Sequence, residues 1–367
     1  MSEQSDTMNK EVKREMVDNP FPGLRPFTTD ESHLFFGREG QSEEVLKKLS
    51  ENRFVAVIGA SGSGKSSLIY CGLVPILYGG FITHAGSRWK IITTRPGNDP
   101  IHNLAESLVK AHPEEQQNTD VQVQMTKAIL HRSSRGLVEC IKQLKISPYE
   151  NILVLVDQFE ELFRFKASRE DHLTFNESEG FVKLLVEAVN QAEVPIYIVL
   201  TMRSDFIGDC SQFQELTEAI NNSNYLIPQM TRDDFREAIE GPVAVGGAKI
   251  EKSLVQQLLN EVGDDPDQLP ILQHALMRTW EYWKQLDDPE KSISLSDYEA
   301  IGKMEKALSE HANEAFDELN ASGKKVCESM FKTLTEKGTD NRGIRHPTRV
   351  EVLASIARAS NEEVIDV

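Results

Sequence analysis

Phe54-Val55-Ala56-Val57-Ile58-Gly59-Ala60-Ser61-Gly62-Ser63-Gly64-Lys65-Ser66-Ser67 decides the fold. Its first six residues are apolar on both alternating sets, as in a strand covered on both faces of a parallel sheet. Residues 59–66 then satisfy a spacing of glycine, four residues and Gly-Lys-Ser, set between that strand and the helical pattern of SSLIYCGLVPIL (66–77), which is expected to end at Pro75. In such a loop Gly59, Gly62 and Gly64 let backbone N–H groups turn toward a phosphate, with Ser61, Ser63 and Ser67 around them. The helix dipole also favours an anion at that place. Lys65 would set its ammonium against β/γ-phosphates and Ser66 would ligate Mg²⁺. The plainer alternative is a glycine-rich turn that holds nothing.

Outward from this stretch, apolar runs recur at 89–94 (WKIITT), 151–157 (NILVLVD), 196–201 (IYIVLT) and 225–228 (YLIP), with helix-length segments between them. Strands that alternate with helices imply parallel pairing, because parallel neighbours need a crossover. Upstream, Gln41–Ser50 reads as a helix, preceded by NPFPGLRPFTTDESHLFFGRE (19–39), an extended lead-in rich in proline and phenylalanine. Beyond Gly241-Pro242 the strand signals stop and helical patterns follow at 253–262, 269–286, 296–319 and 324–337. The expected architecture is an α/β fold, a phosphate-loop NTPase parallel sheet flanked by helices, with an all-helical part behind it. Its expected divisions are a mobile tail at 1–19, the α/β core at 20–242, a helical domain at 243–312 and a last unit at 313–367.

A phosphate loop needs a carboxylate at the tip of a neighbouring strand to hold the metal's water shell, and NILVLVD ends in Asp157. Asp157 is therefore the expected Walker-B residue, although an aspartate at a strand end also serves as a cap. Gln158 follows it where a glutamate would activate water better, so slow ATP hydrolysis is expected rather than fast. Glu160 or Glu161 could reach the attacking water instead, or could merely complement a helix dipole. Arg203 ends the run IYIVLTMR at the same sheet edge; it either reads a γ-phosphate or pairs with Asp205 or Asp209.

Composition excludes other chemistry. Forty Lys+Arg against 58 Asp+Glu give a net charge of −18, which disfavours nonspecific nucleic-acid binding and anionic membranes. Cysteines 71, 140, 210 and 327 form no CxxC pair, and the nine histidines show no metal-ligand spacing. No GxSxG elbow is present. Trp280 and Trp283 fall three apart on one helix and read as a packing stripe. With neither a signal peptide nor an apolar run of about 18 residues, the chain reads as cytoplasmic.

The lead-in, GASGSGKSS, LVLVDQFEELF, LTMRSDFIGDC and DPDQLPILQHAL, in that order, resemble the novel branch of the STAND NTPases, the signal-transduction ATPases with numerous domains. These are related to the NACHT, NB-ARC and AAA+ proteins, and the likeness covers about residues 19–367. The resemblance implies an ATP/ADP-binding switch with Mg²⁺ that self-oligomerises when activated, in bacterial signalling or antiphage defence. It places Gly37 and Arg38 of FGRE at the adenine side of the pocket, where the alternative is a plain turn with an exposed arginine. It matches Pro270 to a proline that packs on the adenine, where the alternative is a proline in a helix's first turn. It matches Arg203 to a sensor arginine. It also makes 313–367 an incomplete winged-helix-like unit and implies a separate or missing C-terminal sensor or effector, so that the chain reads as a fragment. The rival is an ATPase-gated DNA-binding regulator. Eight Lys+Arg against seven Asp+Glu over residues 324–367 give that unit too little positive charge for phosphate contacts. A third reading is a scaffold that holds a nucleotide permanently.

Overall fold

The computed structural model describes residues 18–80, 88–112, 119–144, 150–164, 172–262, 268–288, 291–337, 343–345 and 348–367. The expected tail lies outside the described residues up to residue 17, as do residues 265–267 of the DPDQLPILQHAL motif. The chain divides into two compact units, one ending at Leu295 and the other spanning Ser296–Val367.

In the first unit, five strands form a parallel sheet: β1 (Phe54–Gly59), β2 (Arg88–Thr94), β3 (Glu150–Val156), β4 (Ile196–Arg203) and β5 (Asn224–Leu226), in the order β2-β3-β4-β1-β5. Side-chain alternation explains why the central strands are apolar on both sets. Ala56, Ile58, Val154, Val156, Ile198 and Leu200 pack into one core, beneath the helices Pro100–Lys110, Gly136–Gln143 and His172–Asn190. Val55, Val57, Leu153, Leu155 and Val199 pack into the other, beneath the helix Gln41–Asn52 and the segment after the phosphate loop. The edge strand β2 keeps exposed positions, which is why its pattern is the less apolar one.

The segment after the phosphate loop does not end at Pro75. It opens as an α-turn at Lys65–Ser67, widens into a π-helical stretch at Leu68–Leu73 and closes as an α-helix at Val74–Tyr78. Pro75 sits in the first turn of that last part, just after the π-helical stretch. The Gly241-Pro242 pair, where the expected α/β division falls, lies inside the helix Arg232–Val245. Gly241 is packed there under the Phe36 ring, which a β-carbon would meet at 2.5 Å.

Helices Lys252–Val262 and Gln268–Gln285 complete the first unit. Trp280 and Trp283 are buried, as the stripe predicts. Trp280 stands edge-on to Phe21, and its Nε1–H donates to the Asp18 carbonyl at 2.9 Å. Asn19 Nδ2 donates to the Met277 carbonyl at 3.1 Å. The start of the lead-in is thus fastened along this helix.

In the second unit the expected helix 296–319 is broken. Leu295–Ala300 ends before Gly302, whose φ of +79° caps the next helix, Lys303–Glu318. Ala321–Leu334 follows, and Thr335–Lys337, expected to be helical, pairs antiparallel with Gly343–Arg345 as β6 and β7. Helices Val350–Ala357 and Asn361–Asp366 close the chain, around a small core of Val326, Leu353, Ala354 and Val364. Among the described residues no helix is long and apolar enough to cross a membrane.

Candidate functional site

Strand order places the chemistry. β1 lies between β4 and β5, and the register pairs Gly59 with Arg203. The loop that leaves β1 therefore opens at the carboxyl edge of the sheet, beside the ends of β4 and β3, where α/β sheets hold ligands. The loop needs its glycines: Gly64 has φ +85°, and a β-carbon on Gly59 would come within 2.7 Å of Ser63 Oγ. Gly62 also has a positive φ.

Lys65 Nζ donates to the carbonyls of Gly59 at 3.1 Å and Ala60 at 2.6 Å. Burial lowers its pKa, an effect that Glu160 opposes. Its ammonium is thus held over its own loop in a desolvated place, where an anion gains the most from it.

Asp157 follows directly on β3 and has no exposed surface. Its N–H donates to the Thr94 carbonyl at 2.9 Å. Its Oδ1 accepts from Ser66 Oγ at 2.7 Å and from Thr201 Oγ1 at 2.6 Å. Its Oδ2 accepts from Arg95 Nη2 at 3.0 Å and Nε at 3.3 Å. Thr201 also takes the Gln158 N–H on its hydroxyl and the Phe159 N–H on its carbonyl, each at 2.9 Å. Gln158 turns with φ +58°, a left-handed conformation that this fastening sustains.

The two glutamates have different surroundings. Glu160 is buried, lines the cavity described below and accepts the Arg203 N–H at 3.2 Å. Glu161 turns away to the loop after β2, where its Oε2 accepts the Gly97 N–H at 3.0 Å and burial raises its pKa. The Arg203 side chain forms the ion pair with Asp205 that was its alternative reading, with Nε at 3.1 Å, and it also borders the cavity.

A cavity of about 240 Å³ gathers these parts. The loop supplies Ser61, Gly62, Gly64, Lys65, Ser66 and Ser67; the sheet edge supplies Gln158, Glu160, Thr201 and Arg203. The lead-in Pro22–Phe27 forms one wall, and Leu269, Pro270 and Gln273 of the helix Gln268–Gln285 form another. Among the described residues the buried Gln273 Oε1 has no hydrogen-bond partner. Ser67 is turned toward the lead-in, its Oγ accepting the Phe27 N–H at 3.2 Å. Gly37, Gly59, Ser63, Asp157 and Glu161 do not line the cavity.

Arg38 is no exposed turn residue. It is 7% exposed, and it donates to the Pro228 carbonyl at 2.8 Å and the Ser63 carbonyl at 2.9 Å, tying the phosphate loop to the chain after β5. Burial lowers its pKa. Gly37 precedes it with φ +80°, where a β-carbon would meet the Asp234 carbonyl oxygen at 2.3 Å.

The oxygen donors suit Mg²⁺. Ser66 and Asp157 offer one hydroxyl and one carboxylate, and Mg²⁺ is commonly held by few protein oxygens, with water and phosphate as its other ligands. Among the described residues no group of three or more His, Cys, Asp or Glu is placed to hold a different metal.

Sequence reading missed Arg95, Thr201 and the wall formed by Pro22–Phe27. Thr201 looked like one more residue of an apolar strand, and Arg95 lay in a loop; only the strand order brings both to Asp157.

The profile of the family described as Novel STAND NTPase 1 matches residues 20–367. No curated protein matches the chain. Among solved structures, the Aeropyrum pernix ORC1 protein in complex with DNA is similar with a TM-score of 0.50 at 12% identity, over 90% of this chain and 82% of that one. The Aeropyrum pernix ORC2 protein in ADPNP–ADP complexes is similar with a TM-score of 0.50 at 10% identity, over 90% of this chain and 94% of that one. At such identities the likeness speaks for the fold: a phosphate-loop ATPase sheet. Five sequence motifs, the sheet order and the family match agree, and the chain belongs to the Novel STAND NTPase 1 family.

Proposed function

We propose that the chain is a nucleotide-operated switch that binds ADP or ATP with Mg²⁺, hydrolyses ATP slowly and couples the nucleotide's state to domain rearrangement. The observation that carries this reading is a cavity whose lining joins Lys65 and Ser66 of the phosphate loop to Arg203 of β4 and Pro270 of the helix Gln268–Gln285. A ligand that spans those elements biases their relative placement, because it can favour one arrangement only by its contacts in that arrangement.

In this reading the loop N–H groups and Lys65 bind the β- and γ-phosphates. Ser66 and Asp157 hold the metal, which when bound neutralises charge that develops on the phosphates. Arg203 leaves Asp205 for the γ-phosphate and so distinguishes ATP from ADP. Pro270 and the lead-in cover the base. Gln158 beside Asp157 is a poor base, and Glu160 is engaged by the Arg203 N–H, which supports slow turnover. Self-oligomerisation in the active state, a separate sensor or effector, and a role in bacterial signalling or antiphage defence rest on the family resemblance. The near-neutral balance of residues 324–367 supports a structural use of that unit over DNA binding.

The test is to denature the purified protein and chromatograph the nucleotide that it releases, with Lys65→Ala as the blank, and to add ATP to preparations that release none. Retained ADP, or slow conversion of added ATP to ADP, supports the switch. A wild type that neither retains nor turns over a nucleotide contradicts it.

A further inference from the structure

Asp157 is a carboxylate with no exposed surface, and a buried charge is costly unless it is paired and hydrogen-bonded. Its Oδ1 is served by the Ser66 and Thr201 hydroxyls, both neutral. Its Oδ2 is served by Arg95, through Nη2 at 3.0 Å and Nε at 3.3 Å. Arg95 thus supplies the positive charge in this contact, and its half-exposed side chain links the buried carboxylate to the surface.

The backbone around Arg95 is fixed from several sides. Asn103 Nδ2 donates to the Arg95 carbonyl at 3.2 Å and the Pro96 carbonyl at 2.9 Å. Glu161 takes the Gly97 N–H. Asp99 caps the helix Pro100–Lys110 through the His102 N–H, and Lys127 Nζ holds its other oxygen at 2.8 Å. The loop after β2 is built to return one guanidinium to the tip of β3.

We infer that Arg95 is a positioning residue for Asp157, a built-in cation on Oδ2 that neutralises the carboxylate and competes with a divalent metal's water shell for it. The inference rests on the nucleotide reading above. Its consequence is that nucleotide binding depends only weakly on Mg²⁺. Removing one partner of a buried pair leaves an uncompensated charge; without Arg95 that charge is Asp157, which then draws Mg²⁺ more strongly and repels a metal-free nucleotide.

The experiment is a calorimetric titration with ADP, once in Mg²⁺ and once in EDTA, of wild type, Arg95→Gln, Arg95→Lys, and Arg95→Gln combined with Asp157→Asn. The ratio of the two affinities should be below about tenfold in wild type. It should rise by about tenfold or more in Arg95→Gln, which is about 1.4 kcal/mol. It should stay near wild type in Arg95→Lys and fall back in the double variant, where no carboxylate remains to be neutralised. A purely structural role would move both affinities together and leave the ratio alone, and that result overturns the inference. A wild-type ratio well above tenfold overturns it too, and needs no variant to fold. Failure of wild type to bind ADP in either buffer would overturn the nucleotide reading itself, and this inference with it.

Discussion

The Ser66 hydroxyl donates to Asp157 Oδ1 at 2.7 Å, joining the end of the phosphate loop to the tip of β3 across 91 residues of chain. This contact brings together the two oxygens that the proposed metal needs. Asp157→Asn keeps the size of the side chain and removes its charge. It should lower Mg²⁺-dependent phosphate release by about 100-fold or more while leaving much of the ADP affinity. Phosphate release measured at saturating ATP checks this, and a variant with wild-type turnover would remove Asp157 from the metal site.

Arg203 forms its ion pair with Asp205 at the border of the cavity. Arg203→Ala should narrow the difference between ATP and ADP affinity, and Asp205→Ala, which removes this ion-pair partner, should widen it toward ATP. Competition titrations of both nucleotides read the ratio; an unaltered ratio in both variants would leave Arg203 a structural ion pair.

Trp280 is wholly buried, stands edge-on to Phe21 and donates to the Asp18 carbonyl. Trp280→Ala should destabilise the first unit by about 3–5 kcal/mol and loosen the lead-in. Trp280→Phe, which loses the donor but keeps most of the volume, should cost about 1–2 kcal/mol. Urea unfolding of the two variants checks the order; equal, small losses would show that the lead-in is not held by this ring.

Acid should act on the same lead-in. The Arg25 guanidinium, hydrogen-bonded to Glu31, holds that carboxyl at about 2 rather than near 4.5. A depressed folded-state pKa means that this pair's stabilisation is present above pH 4.5 and is lost as the pH falls toward 2. Arg25→Ala should return the Glu31 titration, followed by NMR, toward its ordinary value. A carboxyl that still titrates near 2 in the variant would assign the shift to the Thr28 N–H and hydroxyl instead.

How much of this was legible follows from how local each signal is. β1, β3 and β4 are buried on both faces, so their apolar runs stand out. The glycine spacing of the phosphate loop is a backbone requirement, so it too is written in consecutive residues. The strand signals stop at Gly241-Pro242, so the division was set there, yet the pair lies inside the helix Arg232–Val245 with Gly241 packed under Phe36. The pairing of Thr335–Lys337 with Gly343–Arg345 was missed because an amphipathic helical pattern runs into it without a break. Arg95, Thr201 and the docking of Asp18 and Asn19 on the helix Gln268–Gln285 depend on residues far apart in the chain. No local pattern records those meetings.

The central claim is that one cavity, with Lys65 over its phosphate loop, binds a nucleotide. Among the described residues Lys65 donates to carbonyls of its own loop, so its loss should leave the fold and its unfolding midpoint close to wild type. The most direct measurement is an equilibrium titration of wild type and Lys65→Ala, first freed of any retained nucleotide, with ATP and ADP in Mg²⁺. The account predicts one site per chain in wild type and a loss of affinity of about 100-fold or more in a folded Lys65→Ala. Equal affinity in the two proteins, or no binding to wild type, would contradict it.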